Sequence, residues 1–218
     1  MRDIIFDFDG TIIDSSECIY SIYKTLFKEK GLEIPSDDKM KTFIGPPIEY
    51  VIKDYVEPNE IANTSARFRE LYNNVDLKRA NKLYDGIEEL LERLKNSGKR
   101  LFVATTKNEI FANKIAEILG IKKYFNAIYG SRFEINRLTK SGVIEDLCKD
   151  FAIKKDDCIL IGDTHFDAEG AKEARIPVAM VNYGFGDREK LKTYDIEFYA
   201  DTPSEVGEII LNKYSETE

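Results

Sequence analysis

Two aspartates stand two residues apart, where a short apolar run ends. Asp7 and Asp9 follow Ile4-Ile5-Phe6 and precede Gly10-Thr11. Burial of an unpaired carboxylate costs several kcal/mol or more, so these charges need either a partner or a place at the mouth of a site. Because a strand alternates its side chains with a period of two, both carboxylates project to the same side if the extended geometry persists. Such a pair can supply a nucleophile and a proton donor.

A surface turn is the plainer interpretation, since Asp-Gly is a common turn dipeptide. Two further apolar runs, at residues 100–105 and 158–162, weigh against it because each also leads into polar side chains. If all three runs are parallel strands, their carboxyl ends meet at one edge of the sheet. The polar residues that follow these two runs include Thr105, Thr106, Asp163 and Asp167.

Four carboxylates gathered at one edge cannot all stay ionised without a compensating charge. Carboxylate ligands, with a single histidine in the chain and no cysteine pattern, suit a hard cation such as Mg²⁺. A carboxylate nucleophile, a second carboxyl group, a metal ion and hydroxyl donors together are suited to phosphoryl transfer. The residues alone therefore indicate phosphoryl-transfer chemistry.

The apolar runs alternate with helical patterns along most of the chain. Asp85 is placed to N-cap a helix that ends at Gly98, and Thr164 precedes the last helix of the alternation. Strands that alternate with helices of this length predict an α/β fold with a doubly wound, mostly parallel sheet. The predicted strands are residues 3–8, 100–105, 127–129, 158–162 and 177–181.

Residues 15–83 interrupt this alternation with helix-like stretches and many tyrosines. They predict an all-α cap domain inserted after the first strand, and the α/β core then consists of residues 1–14 and 84–218. Ligands bind at the carboxyl ends of strands in open α/β sheets, so the cap would form a lid over the acidic residues. We interpret the tyrosines as helix packing more readily than as a substrate cage.

Composition excludes several classes of protein. The chain has 218 residues and a net charge of −8, which disfavours nucleic-acid binding. No apolar run approaches the roughly 18–20 residues of a membrane helix, and the aspartates near the N-terminus do not fit a signal peptide. We therefore expect a cytoplasmic protein without a membrane or nucleic-acid partner. The three scattered cysteines are predicted to be buried and reduced.

Taken in order, these motifs resemble the haloacid dehalogenase-like hydrolases, in particular their phosphoglycolate-phosphatase-type branch with a helical cap. The resemblance covers essentially the whole chain. One departure is Ser141-Gly142 after Lys140, where many relatives have a proline. The matching segments are DFDGT (7–11), the strand that ends in Thr105, Lys140, GDTHFD (162–167) and, less specifically, FIGPP (43–47) and VNYGFG (181–186).

The resemblance implies a role for each matching residue. Asp7 would attack phosphorus and form an aspartyl-phosphate, and Asp9 would protonate the leaving oxygen and then activate water. Mg²⁺ would be bound by the Asp7 carboxylate, the Asp9 backbone carbonyl and Asp163. The substrate phosphate would be bound by Thr105, Thr106 and Lys140. Supporting roles would fall to Gly10, Thr11 and Asp167.

Three other charged residues carry weaker interpretations. Lys107 either touches the substrate or is a solvent-exposed residue at the start of a helix. His165, the only histidine, is expected to line the metal loop or cap a helix, and Arg137 is expected to be a surface charge.

The resemblance favours a Mg²⁺-dependent phosphatase that acts on a small phosphomonoester, such as phosphoglycolate, a nucleotide or a sugar phosphate. A phosphohexomutase or a pyrophosphatase of the same superfamily is the nearest competitor. Mutase relatives carry a histidine early in the first cap helix, and this cap has none. A phospho-receiver or regulatory module is a third candidate, although receiver domains are much shorter and have no cap.

Overall fold

The computed structural model describes residues 2–213, and none of its helices there has the length and apolar character needed to cross a membrane. The strands are β1 (Asp3–Phe6), β2 (Ile13–Asp14), β3 (Lys82–Leu83), β4 (Arg100–Asn108), β5 (Ala127–Ser131), β6 (Cys158–Gly162), β7 (Val178–Val181) and β8 (Tyr199–Ala200). The α-helices are α1 (Ser16–Glu29), α2 (Asp37–Lys41), α3 (Ile48–Ile52), α4 (Ile61–Asn73), α5 (Ile87–Asn96), α6 (Glu109–Ile118), α7 (Lys140–Asp150), α8 (His165–Ala174), α9 (Arg188–Leu191) and α10 (Pro203–Lys213). Short 3₁₀ turns occupy Pro58–Glu60, Lys122–Tyr124, Phe133–Ile135 and Lys155–Asp157.

Six strands form one sheet in the order β5-β4-β1-β6-β7-β8, and every pairing in it is parallel. The chain therefore starts in the middle of the sheet, builds outward on one side through β4 and β5, and then builds on the other side from β6 onward. The predicted doubly wound α/β fold is confirmed. Its central strand, β1, lies at the reversal of strand order, where such folds bind ligands.

The buried side chains of β1 alternate between the two faces of the sheet. Ile4 and Phe6 join the core under α5, α6 and α10, whereas Ile5 joins the core under α7 and α8. Burial on both faces explains why the run is apolar throughout rather than alternating with polar residues.

Helices α1 to α4 lie between β2 and β3 and form a helical insert, a name we use for residues 15–83. Strands β2 and β3 pair antiparallel through Ile13 with Leu83 and Asp14 with Lys82, so the two connections to the insert lie side by side. This ladder was not predicted, because two-residue strands carry no period-2 signal. The division of the chain into two domains at these connections stays a prediction.

Several predicted element ends differ from the structure, and among them β4 continues to Asn108 and β5 to Ser131, beyond their predicted ends. The side chain of Asp85 caps no helix; α5 instead begins after Gly86, whose φ of +87° lies in the left-handed region that glycine tolerates. Strand β1 ends at Phe6, two residues earlier than predicted, because the chain turns sharply toward Gly10.

Candidate active site

The loop after β1 brings the first aspartate to the edge of the sheet. The backbone N–H of Asp7 donates to the carbonyl of Ile161 at 2.8 Å and so extends the ladder by one bond. The chain then turns through Gly10, which has a φ of +87°. A Cβ atom on Gly10 would lie 2.1 Å from the Asp163 carboxylate. Only glycine fits at this position, both sterically and conformationally.

Lys140 connects two of the aspartates from the first position of α7. Its ammonium lies 2.6 Å from Asp7 Oδ1 and 2.7 Å from Asp167 Oδ1, and it donates to the carbonyl of Ala104 at 3.1 Å. A Cβ atom on Gly170 would lie 2.4 Å from the stem of this lysine. The packing of α7 on α8 therefore leaves a channel in which the buried lysine reaches the edge of the sheet.

Backbone and hydroxyl groups hold Asp163 in place. The Thr11 hydroxyl donates to Oδ1 at 3.2 Å, and the backbone N–H of Phe185 donates to Oδ2 at 2.8 Å. A Cβ atom on Gly184 would lie 2.4 Å from this carboxylate. The glycines of the VNYGFG segment thus let the backbone close around Asp163.

Asp167 has a supporting position. Its Oδ2 accepts from the backbone N–H groups of Asp163 and Thr164 at 3.2 and 2.9 Å and from the Thr164 hydroxyl at 2.9 Å. With Thr164 it forms the capping box of α8. Its other oxygen contacts Lys140, so Asp167 fixes both the loop after β6 and the lysine.

The acidic cluster, by which we mean Asp7, Asp163 and Asp167, has a carboxylate oxygen from each member within 4.8 Å of the others. With Lys140 as its cation, the ionised cluster carries a charge of −2. Burial raises the pKa of Asp7 to about 7 and raises that of Asp163 well above its usual range. A divalent, oxygen-binding cation matches both this charge and these donors. Asp7, Asp163 and Asp167 each offer a carboxylate oxygen that could hold it, and a contribution from the backbone carbonyl of Asp9 stays a prediction.

Asp9 belongs to a second, separate ion pair. The Lys107 ammonium lies 2.8 Å from both oxygens of Asp9, and the lysine side chain is only 6% exposed. Burial favours the neutral amine, but the adjacent Asp9 carboxylate more than offsets this and raises the pKa of Lys107 above its ordinary value. The solvent-exposed interpretation of Lys107 is therefore wrong. Its place after Thr105-Thr106, at the carboxyl end of β4, was the available signal.

The two threonines near the carboxyl end of β4 face different parts of the molecule. The hydroxyl of Thr105 is buried and accepts from the backbone N–H of Lys107 at 3.2 Å. The hydroxyl of Thr106 donates to the carbonyl of Gly45 at 2.6 Å and so joins the core to the FIGPP segment of the helical insert. Thr106 is thus committed to the insert in this arrangement.

Two remaining charged residues lie outside the acidic cluster. His165 is the first residue of α8, and its ring centre lies 4.1 Å from that of Phe166 with the two rings tilted. Burial lowers the pKa of His165. Arg137 is buried, contrary to the surface position predicted for it. Its guanidinium forms an ion pair with Glu109 and donates to the carbonyl of Gly130 at 3.0 Å. This long-range partner gives no signal in the sequence near Arg137.

A cavity of about 310 Å³ separates the helical insert from the core beside Asp9. Asp9, Thr106 and Lys107 line its core side. A second cavity of about 220 Å³ is lined by Lys140 and shares Thr106 with the first. The arrangement places open space beside both ion pairs, one at Lys140 and one at Lys107.

Comparisons with known proteins agree on one family. A family model described as haloacid dehalogenase-like hydrolase matches residues 4–181. A 5'-nucleotidase of Pseudomonas aeruginosa is 32% identical over 90% of this chain and 90% of its own. A phosphoglycolate phosphatase of Aquifex aeolicus is 29% identical over 97% of this chain and 98% of its own. The crystal structure of a predicted phosphatase from Clostridium acetobutylicum is 32% identical, covers 96% of this chain and 98% of its own, and superposes with a TM-score of 0.90.

The charge of the acidic cluster predicts metal-dependent stability. We expect Mg²⁺ at about 100 times its Kd to raise the unfolding free energy by about 2.7 kcal/mol, because it binds the folded state alone. Asp163→Asn should abolish this gain, whereas Asp156→Asn, at an exposed position, should retain it. Thermal denaturation with Mg²⁺ and with EDTA measures the effect. An equal gain in Asp163→Asn would show that Mg²⁺ acts elsewhere.

The raised pKa values of Asp7 and Asp163 predict how stability changes with pH when no metal is bound. The Asp7 pKa rises from 3.8 to about 7 on folding, so the folded chain holds more protons than the unfolded chain between those values. In EDTA, the unfolding free energy should therefore fall as pH rises from 4 to 7. Asp163→Asn removes one of the two groups whose pKa burial raises and should therefore reduce this fall. Urea titrations at pH 5 and pH 7 give the change in unfolding free energy with pH for the wild type and for Asp163→Asn. An identical change in both proteins would contradict the raised pKa of Asp163.

Proposed function

This chain belongs to the haloacid dehalogenase-like hydrolases and is a phosphatase, and we propose that it hydrolyses a small phosphomonoester through a phosphate carried on Asp7, with Mg²⁺ as cofactor. One observation carries the proposal: a buried carboxylate, held by Lys140 within an acidic cluster of charge −2, lies where the parallel strands end. The names of the relatives, a 5'-nucleotidase and a phosphoglycolate phosphatase, leave the choice of ester open.

In the first half-reaction a carboxylate oxygen of Asp7 forms a bond to phosphorus while the bond from phosphorus to the ester oxygen breaks. In this step Asp9 is protonated and no longer paired with Lys107, and it gives its proton to the departing oxygen, which leaves as an alcohol. Lys140, 2.6 Å from Asp7, orients the nucleophile and offsets the negative charge that two anions bring together.

In the second half-reaction water attacks the phosphorus of the aspartyl-phosphate. Asp9, now a carboxylate, takes a proton from that water, and the bond between phosphorus and Asp7 breaks. Inorganic phosphate leaves, and both aspartates return to their starting states. Asp9 acts as acid and then as base, as reversal of a proton transfer requires.

The remaining residues bind and position groups. Asp7, Asp163 and the carbonyl of Asp9 would hold Mg²⁺, which supplies positive charge against the phosphate oxygens when bound. Lys140 and Thr105 would contact the phosphate, and Thr106 would join them if its bond to the insert exchanges. Gly10, Thr11 and Asp167 would keep the carboxylates in place.

Hydrolysis is favoured over a mutase reaction by the first helix of the insert, α1, which contains no histidine. The competing functions are those of a pyrophosphatase and of a phospho-receiver module, and a phosphomonoester that turns over repeatedly would exclude the receiver. We also propose a cytoplasmic location and no nucleic-acid partner, on the basis of the acidic composition.

Replacement of the two aspartates separates their roles. Asp7→Asn should lower kcat for phosphate release by at least about 10⁴-fold, because it removes the nucleophile. Asp9→Asn should slow the second half-reaction and let phosphoprotein accumulate, which intact mass spectrometry after acid quenching detects. Asp156→Asn, an exposed replacement of the same chemistry, is the control. Release at the wild-type rate by Asp7→Asn would refute the mechanism.

A further inference from the structure

The cavity beside Asp9 is large compared with the smallest phosphate esters. Its volume of about 310 Å³ lies at the lower end of the range for sites that enclose a small organic molecule, about 300–1,000 Å³. The walls come from both the helical insert and the core, and they include the buried Asp9–Lys107 pair as well as Phe133, which is 50% exposed. Asp9, the proposed proton donor to the leaving oxygen, lines this space, so a leaving group within reach of Asp9 would extend into it.

Aromatic side chains from both the helical insert and the core line the cavity. Such walls favour flat, apolar rings, because stacked or edge-on ring contacts add to the burial of apolar area. Small aliphatic alcohols would leave most of these rings uncontacted. The aromatic residues that line the cavity are Tyr23, Phe43, Phe68, Tyr72, Phe111 and Phe133.

The charges that line the cavity are already paired. Lys107 contacts both oxygens of Asp9, and Arg69 lies 2.6 Å from Glu49. Within residues 2–213 these are the two cationic residues of the lining, so neither is free to pair with a second anionic group on the substrate. A carboxylate on the leaving group, as in phosphoglycolate, or a second phosphate, as in pyrophosphate, would meet Glu49 and Asp9 without a spare cation.

A few uncharged polar groups complete the lining. Asn108 and Ser131 lie at the ends of β4 and β5. The side-chain Oδ1 of Asn108 already accepts a hydrogen bond from the backbone N–H of Ile110 at 3.1 Å. The amide N–H₂ of Asn108 and the hydroxyl of Ser131 can bond sugar hydroxyls or the edge of a heterocycle. An aromatic wall with uncharged polar contacts matches a group that is flat, neutral and polar at its rim.

We propose that the leaving group is a nucleoside, and that this phosphatase selects nucleoside monophosphates over small anionic esters and pyrophosphate. The inference rests on the proposed function and names its substrate class. Base and sugar together extend from the phosphate into the cavity, where the base meets the aromatic lining and the sugar meets the polar groups.

Phe133 is the specificity residue that the geometry singles out. The Arg69 guanidinium lies 4.4 Å from its ring centre and joins the insert to the core there. The segment around Phe133 is held by reciprocal backbone hydrogen bonds between Arg132 and Arg137 at 2.8 and 3.0 Å. An aromatic ring fixed in place, half exposed and facing a cavity, is suited to contact a ligand ring.

Phosphate release from AMP, UMP, ribose 5-phosphate, phosphoglycolate and pyrophosphate, in Mg²⁺, tests the proposal. We expect kcat/KM for AMP and UMP to exceed that for ribose 5-phosphate by at least about tenfold, since only the nucleotides carry a base. The kcat/KM values for phosphoglycolate and pyrophosphate should be lower than those for both nucleotides. A preference for any of the three substrates without a base would overturn the inference and leave the phosphatase assignment intact.

Two variants in one turn separate specificity from folding. Phe133→Ala should raise KM for AMP about five- to tenfold and leave ribose 5-phosphate unchanged, because it removes a base contact. Ile135→Ala is the matched control, since Ile135 is 52% exposed in the same turn and does not line the cavity. Equal losses with both substrates, or with both variants, would overturn the role of Phe133.

Direct binding distinguishes failure of this inference from failure of the proposed function. If none of the five compounds releases phosphate, the proposed function is wrong, and calorimetry with adenosine and with ribose then tests the cavity alone. Adenosine should bind at least about tenfold more tightly than ribose, and Phe133→Ala should weaken only adenosine. Equal affinity for the two would overturn the nucleoside assignment.

Discussion

The charge of three converging carboxylates is the constraint on which the rest of the site depends. Asp7, Asp163 and Asp167 are buried, and one carboxylate oxygen from each lies within 4.8 Å of the others. The single ammonium of Lys140 balances only part of their negative charge. Lys140 begins a helix, where the helix dipole disfavours a cation, so its position depends on its ion pairs with Asp7 and Asp167. The tight turn at Gly10 follows from the same crowding. A divalent cation would complete the balance.

Asp9 does not add to the negative charge of the acidic cluster, because it has a cationic partner of its own. Lys107 contacts both of its oxygens, and the resulting pair is neutral, although Asp9 is only two residues from Asp7. The two carboxylates thus occupy different electrostatic environments, one in a net-negative cluster and one in a balanced pair. Different environments are how two identical side chains acquire different roles in acid–base chemistry. Paired with Lys107, Asp9 is a carboxylate, which is the form that takes a proton from water in the second half of the proposed mechanism.

Local patterns predicted the fold and most of the site, whereas long-range pairings were not predictable from them. The apolar run at residues 158–162 predicted both ends of β6. The polar residues that follow β1 and β6 indicated that Asp7, Asp163 and Asp167 would lie at one edge of the sheet. The pairing of Asp9 with Lys107 was not predicted because the two residues lie 98 positions apart. Arg137 was wrongly predicted at the surface because its partner Glu109 lies 28 positions away. Both ion pairs depend on which strand ends are neighbours, and that order is a property of the assembled sheet.

The helical insert separates the choice of substrate from the chemistry. The acidic cluster is built wholly by the core, since Asp7, Asp163 and Asp167 follow β1 and β6. The cavity is shared, because the insert contributes Arg69, Glu49 and four of the six aromatic rings. Substitutions in the insert can therefore change the leaving group that fits without moving the nucleophile. The hydrogen bond from Thr106 to Gly45 couples the helical insert to the core. Movement of the insert over a ligand would therefore shift the carboxyl end of β4, beside the residues proposed to bind the phosphate.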